Sequence, residues 1–600
     1  MFSIEQNSKQ NSKQNKITDT VFTQDSTHMM PMSIKEVADA VNASELLCGS
    51  SASCDSAKST DIVNFATSDS RNVACGAVFI AIKGERVDGH DFVQKAAQLG
   101  AKAAIVEHAV LLDESVQNKI AQIVVKNSVE ALGLLAKHNL VRRRALNTPF
   151  SIIGITGSVG KTTTKDMLNA LLSTLGNTVA PVGSFNNEIG LPLTSLRVNE
   201  DTRFLIAEMG ANHVGEIAML TTIAPPDLSV VLKVGVAHLG EFGSVEKIAQ
   251  AKSEIVRGLL PHGVAILNAD DFRVAAMSKL ADQDKVRWFG LNADNNGNFD
   301  ASNNGNYQLR AQDISLDESG CAKFTIIESE NSATSENSAT LHLALPGAHN
   351  VMNALAASNV ARYFGMSLKN IALVLNKVSH ISPHRMQISV ICKDDKKFTL
   401  IDDSFNANPD SMKAGIDGLC SYESNDSSNS ANSSNSDDSA NSANSADSAK
   451  SSSTKLFRIA VLGSMLELGK DEYNMHESIG KYVAQKNIDA IISVGSSTNE
   501  KLDELASCIA KGARDNWQNN RNNIVNKYQN NNVDAKNNVY FVHDCSEANN
   551  IVWSLVAEHP STVVLLKGSH ASGLSVLAES WAKLSKSLNA SLNKHTEVNL

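Results

Sequence analysis

What this chain of 600 residues lacks narrows its class before any motif is read. No apolar run approaches the roughly 18 residues that a membrane span needs. The N-terminus has no apolar core of the secretory kind, so no signal peptide is expected. Basic excess is missing too: the formal net charge is −10, whereas nucleic acid as the main partner would require a basic face. The eight cysteines (48, 54, 75, 321, 392, 420, 508, 545) form no C-x-x-C pair. Neither a disulfide framework nor a zinc site is expected from them, and a reducing cytoplasm is the expected compartment. A guanine-specifying N-K-x-D is absent, which disfavours a GTP-driven switch.

What is present is the composition of a soluble globular protein, 42% hydrophobic and 20% charged, with length for three or four domains. Residues 1–31 are polar, carry a QNSKQNSKQNK repeat and read as a disordered tail, with ordered chain expected from Met30 or Met32. Residues 32–145 read as a small α/β domain, and Arg142–Pro149 as a linker. Residues 146–380 alternate apolar strands with helices, the pattern of a parallel sheet covered on both faces. Residues 381–600 repeat that alternation as a Rossmann-like domain. Asn292–Asn306 and Ser329–Thr340 read as loop insertions. Ser424–Thr454 and Gln518–Asn538 are so rich in Ser and Asn that disordered excursions are expected.

The stretch SIIGITGSVGKTTTK, residues 151–165, carries the strongest chemical signal. An apolar strand runs into a glycine-broken loop and then a helix, which aims backbone N–H groups and a helix N-terminus at an anion. Gly157, Ser158, Val159 and Gly160 form the phosphate cradle. Lys161 would reach the β- and γ-phosphates and the Thr162 hydroxyl would ligate Mg²⁺, with Thr163 beside it. The strict Walker pattern wants a fifth-preceding glycine where Ile155 stands, so the motif is the shorter TGSxGKTTT form. ATP is the expected ligand. Glu208 ends the strand FLIAE, and a carboxylate there faces the ligand crevice; it is a metal ligand or a solvated strand-end glutamate. His238 follows the next strand, at the same end. Lys252 in AQAKSEI, taken alone, is a solvated helix lysine. Asn350 and Asn353 lie three apart at a helix start and share a face, Asn350 also being a candidate helix cap.

Together these motifs resemble the Mur ligases of bacterial peptidoglycan synthesis, ATP-dependent enzymes that join an amino acid or dipeptide to a UDP-sugar peptide. The resemblance runs from about Ser33 to Leu577. It implies an α/β fold of three domains: a small UDP-sugar-binding domain, a central P-loop ATPase sheet and a Rossmann-like ligase domain. It makes Lys161, Glu208, His238 and Lys252 catalytic, with Mg²⁺ held by Thr162, Glu208, His238 and a CO₂-derived carbamate on Lys252. Asn350 and Asn353 meet adenine, Arg385 the phosphates and Asp403 the ribose. The DSRNVACGAVF and GERVDGH motifs imply Ser70 and Arg71 as contacts to the UDP end. NNEIGLPLT, SFNANPD and KGS imply substrate contacts by Asn187, Asn406, Asn408 and Lys567.

Within the family, EMGANHVGEI, NNEIGLPLT and IDDSFNANPDSM are similar to the member that adds D-alanyl-D-alanine to UDP-MurNAc-tripeptide. The DNPR signature of the preceding ligase, which adds diaminopimelate or lysine, is absent. The muramoyl-type first domain disfavours a folylpolyglutamate synthase, and an intact Lys161, Glu208, His238 and Lys252 disfavour a scaffold without turnover. Three positions depart from the family: His384 for glycine, Ser464 for aspartate and His570 for arginine. A cytoplasmic monomer is expected.

Overall fold

The computed structural model describes residues 28–48, 59–84, 87–291, 307–328, 337–379, 382–423, 456–525 and 538–597. The chain divides by packing into two units, one holding the described residues up to Phe150 with Pro192–Thr202, the other Ser151–Leu191 and the described residues from Arg203 onward.

The first unit is built on five strands: Glu45–Cys48 (β1), Phe65–Thr67 (β2), Ala77–Ile80 (β3), Ala103–Val106 (β4) and Ala121–Val124 (β5). They lie in the order β1-β5-β4-β3-β2, all pairs parallel except β1–β5. β3 and β4 are buried along their whole length, as short uninterrupted apolar runs predict. Helix α1, Ser128–Ala145, starts at an Asn127 cap and runs through Ala145, so the expected linker begins inside a helix. The reason is Arg143, which is 1% exposed and donates to the carbonyls of Thr202, Pro149 and Thr148; the guanidinium holds the helix end in place. Met29, expected in the tail, and Met30, one of the two expected starts of the ordered chain, are buried, and Met30 N–H donates to Asn139 Oδ1. Cys48 is disulfide-bonded, although no disulfide framework is expected from the sequence.

The second unit carries two larger sheets. The first has nine strands: Ser151–Thr156 (β6), Thr178–Val179 (β7), Phe204–Glu208 (β8), Leu228–Val231 (β9), Val264–Asn268 (β10), Val286–Leu291 (β11), Tyr307–Leu316 (β12), Cys321–Glu328 (β13) and Asn337–Pro346 (β14). Their order is β14-β13-β12-β11-β10-β9-β6-β8-β7. It is parallel from β7 to β12, and β13 and β14 extend it antiparallel. Residues 337–340, expected in a loop, belong to β14 and pair with β13. The order reverses at β6, the place where open α/β sheets bind ligands. In register, Ile155 of β6 stands opposite Glu208 of β8, and Thr156 opposite Val231 of β9. Helices Lys161–Leu172 (α2), Val245–Arg257 (α3) and Asn350–Tyr363 (α4) belong to this part. Met167, Leu168 and Leu171 of α2 share one buried core with Ile153, Phe204, Val351 and Leu355.

The second sheet has six strands: Gln387–Lys393 (β15), Lys396–Asp403 (β16), Phe457–Gly463 (β17), Ala490–Val494 (β18), Val539–Val542 (β19) and Thr562–Lys567 (β20). The order is β15-β16-β20-β17-β18-β19, parallel except for the β15–β16 hairpin. Helices Pro409–Ser421 (α5), Glu500–Val525 (α6) and Leu574–Glu597 (α7) accompany it. α6 runs to Val525, so residues 518–525 are helical where an excursion was expected; 526–537 and 424–454 lie outside the described residues, as do 292–306 and 329–336. No described helix is long and apolar enough to cross a membrane.

Candidate active site

The glycine loop between β6 and α2 is pinned from two sides. Thr156 Oγ1 donates to the Met209 carbonyl at 2.8 Å, Ser158 N–H to the Lys233 carbonyl at 2.8 Å, and Gly235 N–H to Ser158 Oγ at 2.9 Å. Loops following β8 and β9 thus hold the cradle rigid while the first turn of α2 carries no side-chain cap. Those free N–H groups form the anion-binding end of the helix. Gly160 has φ 85°, and a Cβ there would lie 2.3 Å from Asn353 Oδ1, so a side chain would strain the backbone and displace Asn353. Lys161 Nζ donates to the Gly157 carbonyl at 2.9 Å. Burial pulls its pKa down, Glu208 opposes this, and nearby Arg385 adds to it. Val159 and Thr163 are partly exposed.

Thr162 and Glu208, expected to share a metal, are in contact: Thr162 Oγ1 donates to Glu208 Oε2 at 3.1 Å. Glu208 is 1% exposed, which removes the solvated strand-end reading. Asn186 Nδ2 donates to Glu208 Oε1 at 2.8 Å. Lys252 is 3% exposed rather than solvated, and no described residue pairs with its ammonium. Burial and then the charge of Lys161 bring its pKa down to about 7. His238, in the left-handed region at φ 58°, bonds through Nδ1 to Glu467, which lowers the Glu467 pKa. No group of three or more His, Cys, Asp or Glu among the described residues is arranged to hold a metal. Thr162 and Glu208 nonetheless offer buried hydroxyl and carboxylate oxygens beside a phosphate cradle, the donor set that suits Mg²⁺.

Asn350 and Asn353 are buried and joined, Asn353 Nδ2 donating to Asn350 Oδ1 at 3.0 Å. Asn350 is not the helix cap: His349 holds that position, and Asn350 Nδ2 donates back to the Pro346 carbonyl. Asp403 and Lys567 form an ion pair at 2.6 Å, and Lys567 Nζ also donates to the Asn406 carbonyl at 3.2 Å. Arg385 lies over the Phe405 ring, 4.5 Å from its centroid. Asn408 caps α5, its Oδ1 accepting from Ser411 N–H in a reciprocal capping box, so helix initiation accounts for it. Asn187 Oδ1 accepts from Gly190 N–H at 2.9 Å and shapes the turn after Asn186. Of the departures, Ser464 is buried and donates to the Leu502 carbonyl, and His570 Nδ1 meets Ser575 Oγ at 3.3 Å. Ser70 and Arg71 lie in the other unit, on a short turn where Arg71 pairs with Asp69 at 2.7 Å and holds the Asp69 pKa at about 2.

Sequence reasoning missed Asn186, which opens the NNEIGLPLT motif, and Glu467, three residues after Ser464. Neither spacing nor periodicity signals a side chain that reaches across to another strand's end.

Comparison with known proteins places these features in company. Residues 155–361 match the Mur ligase middle domain model, and 62–139 the model of the Mur ligase family, catalytic domain. A UDP-N-acetylmuramoyl-tripeptide–D-alanyl-D-alanine ligase of Mycobacterium bovis is 37% identical over 439 residues, 71% of this chain and 77% of its own length. The enzyme of the same name from Bacillus subtilis is 34% identical over 77% of this chain and 84% of its own length. A crystal structure of MurF from Acinetobacter baumannii superposes with TM-score 0.67 at 28% identity, covering 92% of this chain and 99% of that one.

Proposed function

The chain belongs to the Mur ligase family, and from that premise we propose that it joins D-alanyl-D-alanine to UDP-N-acetylmuramoyl-tripeptide at the expense of ATP. The products are UDP-MurNAc-pentapeptide, ADP and phosphate, a step of peptidoglycan synthesis. The substrate choice follows the relatives just described. The observation that carries the chemistry is the buried Thr162–Glu208 contact beside an uncapped glycine loop.

A carboxylate and an amine do not condense in water unless the carboxylate is activated. The γ-phosphoryl group of ATP passes to the tripeptide carboxylate, giving an acyl phosphate and ADP. The dipeptide amine then attacks the acyl carbon, and phosphate leaves. Lys161 exchanges its Gly157 carbonyl for the β- and γ-phosphates, where its charge and the first N–H groups of α2 stabilise the transferring group. Arg385 adds a second cation at the phosphates. Asn350 and Asn353 receive adenine, Asp403 the ribose, and Lys567 and Asn406 border the incoming dipeptide. Ser70 and Arg71 take the UDP end. Thr162, Glu208, His238 and a carbamylated Lys252 would hold Mg²⁺, whose charge would screen the repulsion between carboxylate and γ-phosphate. Asn186 and Glu467 orient Glu208 and His238 respectively. Three functional parts, 32–145, 146–380 and 381–600, carry these roles in a cytoplasmic monomer.

Phosphate release tests the reading. Release that requires ATP, UDP-MurNAc-tripeptide and D-alanyl-D-alanine together, with the pentapeptide product by mass, is expected. Release driven by UDP-MurNAc-dipeptide with diaminopimelate or lysine would assign the preceding step instead. Lys161→Ala and Glu208→Gln should abolish turnover while circular dichroism stays unchanged.

A further inference from the structure

Helix α2 repeats itself one turn down. Lys161 and Thr162 face the cradle; Lys165 and Asp166, four residues on, share their sides of the helix. Lys165 is 2% exposed, yet the proposed reaction gives it nothing to do. Its ammonium sits among four acceptors. Asp166 Oδ1 is at 2.6 Å, Ser382 Oγ at 2.9 Å, the Pro181 carbonyl at 3.1 Å and the Gly183 carbonyl at 3.2 Å. An ammonium has three protons to donate, so this one is saturated. Asp166 in turn accepts from Ser382 N–H at 2.8 Å and from Ser382 Oγ at 3.3 Å.

Two polypeptide segments therefore converge on this pair, and each carries a residue of the site. Gly183 is three residues before Asn186, the donor to Glu208. Ser382 is three residues before Arg385, whose guanidinium lies close enough to Lys161 to disfavour its charged form. The far side of that second segment is fastened as well. His384 Nδ1 meets the buried Asp402 at 2.8 Å, Phe405 N–H donates to the His384 carbonyl, and Arg385 covers Phe405. His384 and Met386 both have positive φ, 62° and 50°, an uncommon conformation for residues with a side chain. A segment bent this way stays bent only if its ends are held, and Ser382 is the end held by α2.

We propose that Lys165 and Asp166 are positioning residues for the ligation: through Ser382 they hold the 382–386 segment so that Arg385 stays at the phosphate cradle. The inference rests on the reading that Arg385 meets the nucleotide phosphates. It makes the helix that receives ATP also the anchor of the guanidinium that closes on it.

The test is a mutant cycle read as kcat per nucleotide-binding site, with saturating substrates. Ser382→Ala keeps the backbone N–H bond to Asp166 and removes only the hydroxyl. It should lower kcat about fivefold, and Ser382→Thr should restore it to within twofold. Lys165→Met should lower it more than 20-fold, with Asp166→Asn as the second probe if that protein does not fold. In an Arg385→Ala background, Ser382→Ala should cost less than 1.5-fold, because the group it positions is gone. A merely structural hydroxyl would cost the same in both backgrounds, and that result overturns the inference alone. Wild-type turnover by Arg385→Ala itself would overturn the reading of Arg385, and the inference with it.

Discussion

Lys252 makes the sharpest prediction. A lysine reacts with CO₂ only as the neutral amine, losing one proton as the carbamate forms. An ordinary lysine, with pKa near 10.5, is neutral in only about 0.3% of molecules at pH 8. Lys252, with its pKa brought down to about 7 by burial and by Lys161, is neutral in about nine tenths at that pH, roughly 300-fold more. The sign follows directly: lowering the pH through 7 charges the amine and removes the reactive form, and raising it restores that form. Turnover at pH 8 in carefully decarbonated buffer should therefore fall at least tenfold and recover when bicarbonate is added. ¹³C-bicarbonate should give one protein-bound carbamate resonance, present at pH 8, lost at pH 6 and absent from Lys252→Arg. Measuring CO₂ dependence at a fixed pH separates this effect from the titration of any other group in the enzyme or its substrates. Full turnover in decarbonated buffer with no such resonance would refute the reasoning.

Three further outcomes are expected. Asn186→Leu strips one donor from the Glu208 carboxylate. A lost hydrogen bond to a charged group is worth about 1.5–3 kcal/mol, so kcat should fall roughly 10- to 160-fold while thermal unfolding moves little. Gly160→Ala places a Cβ 2.3 Å from Asn353 Oδ1 in a left-handed backbone, and equilibrium binding of a fluorescent ATP analogue should be lost while far-UV circular dichroism is retained. Leu168→Ala empties a fully buried site in the core between α2 and the sheet, and urea denaturation should show about 2–5 kcal/mol of lost stability.

The strand–loop–helix at Ser151–Lys165 was legible because its signals are local: glycine, lysine and an apolar run in fixed order. Burial of Lys252 was legible too, though it was read as a solvated lysine. Ile248, Ala251, Lys252 and Ile255 are all buried, and their spacing is that of one apolar helix stripe, so the lysine stands where a leucine would be expected. What could not be read were contacts between distant segments. Glu467 reaches His238 across 229 positions of sequence, and Asp166 reaches Ser382 across 216. No local pattern carries such distances. The antiparallel addition of β13 and β14 escaped for a related reason: alternation predicts strands, whereas direction depends on the length and course of the connections. Arg143 shows the opposite limit. Three consecutive arginines read as a polar linker, yet one is buried by carbonyls that only the folded chain supplies.

The ladder that sets Ile155 opposite Glu208 acts as the ruler of this site. Strand side chains alternate between faces, so a slip of one residue in β8 would turn Glu208 away from Thr162 and bring Ala207 or Met209 in its place. The spacing of the carboxylate from the phosphate cradle is thus measured out by backbone hydrogen bonds in the sheet interior, where exchange with solvent is slowest. That spacing is fixed before any substrate arrives. A single-residue deletion in the turn before Phe204 tests how strictly the ruler is kept. Should the strand re-pair one step along, the enzyme would keep its sheet and lose its chemistry.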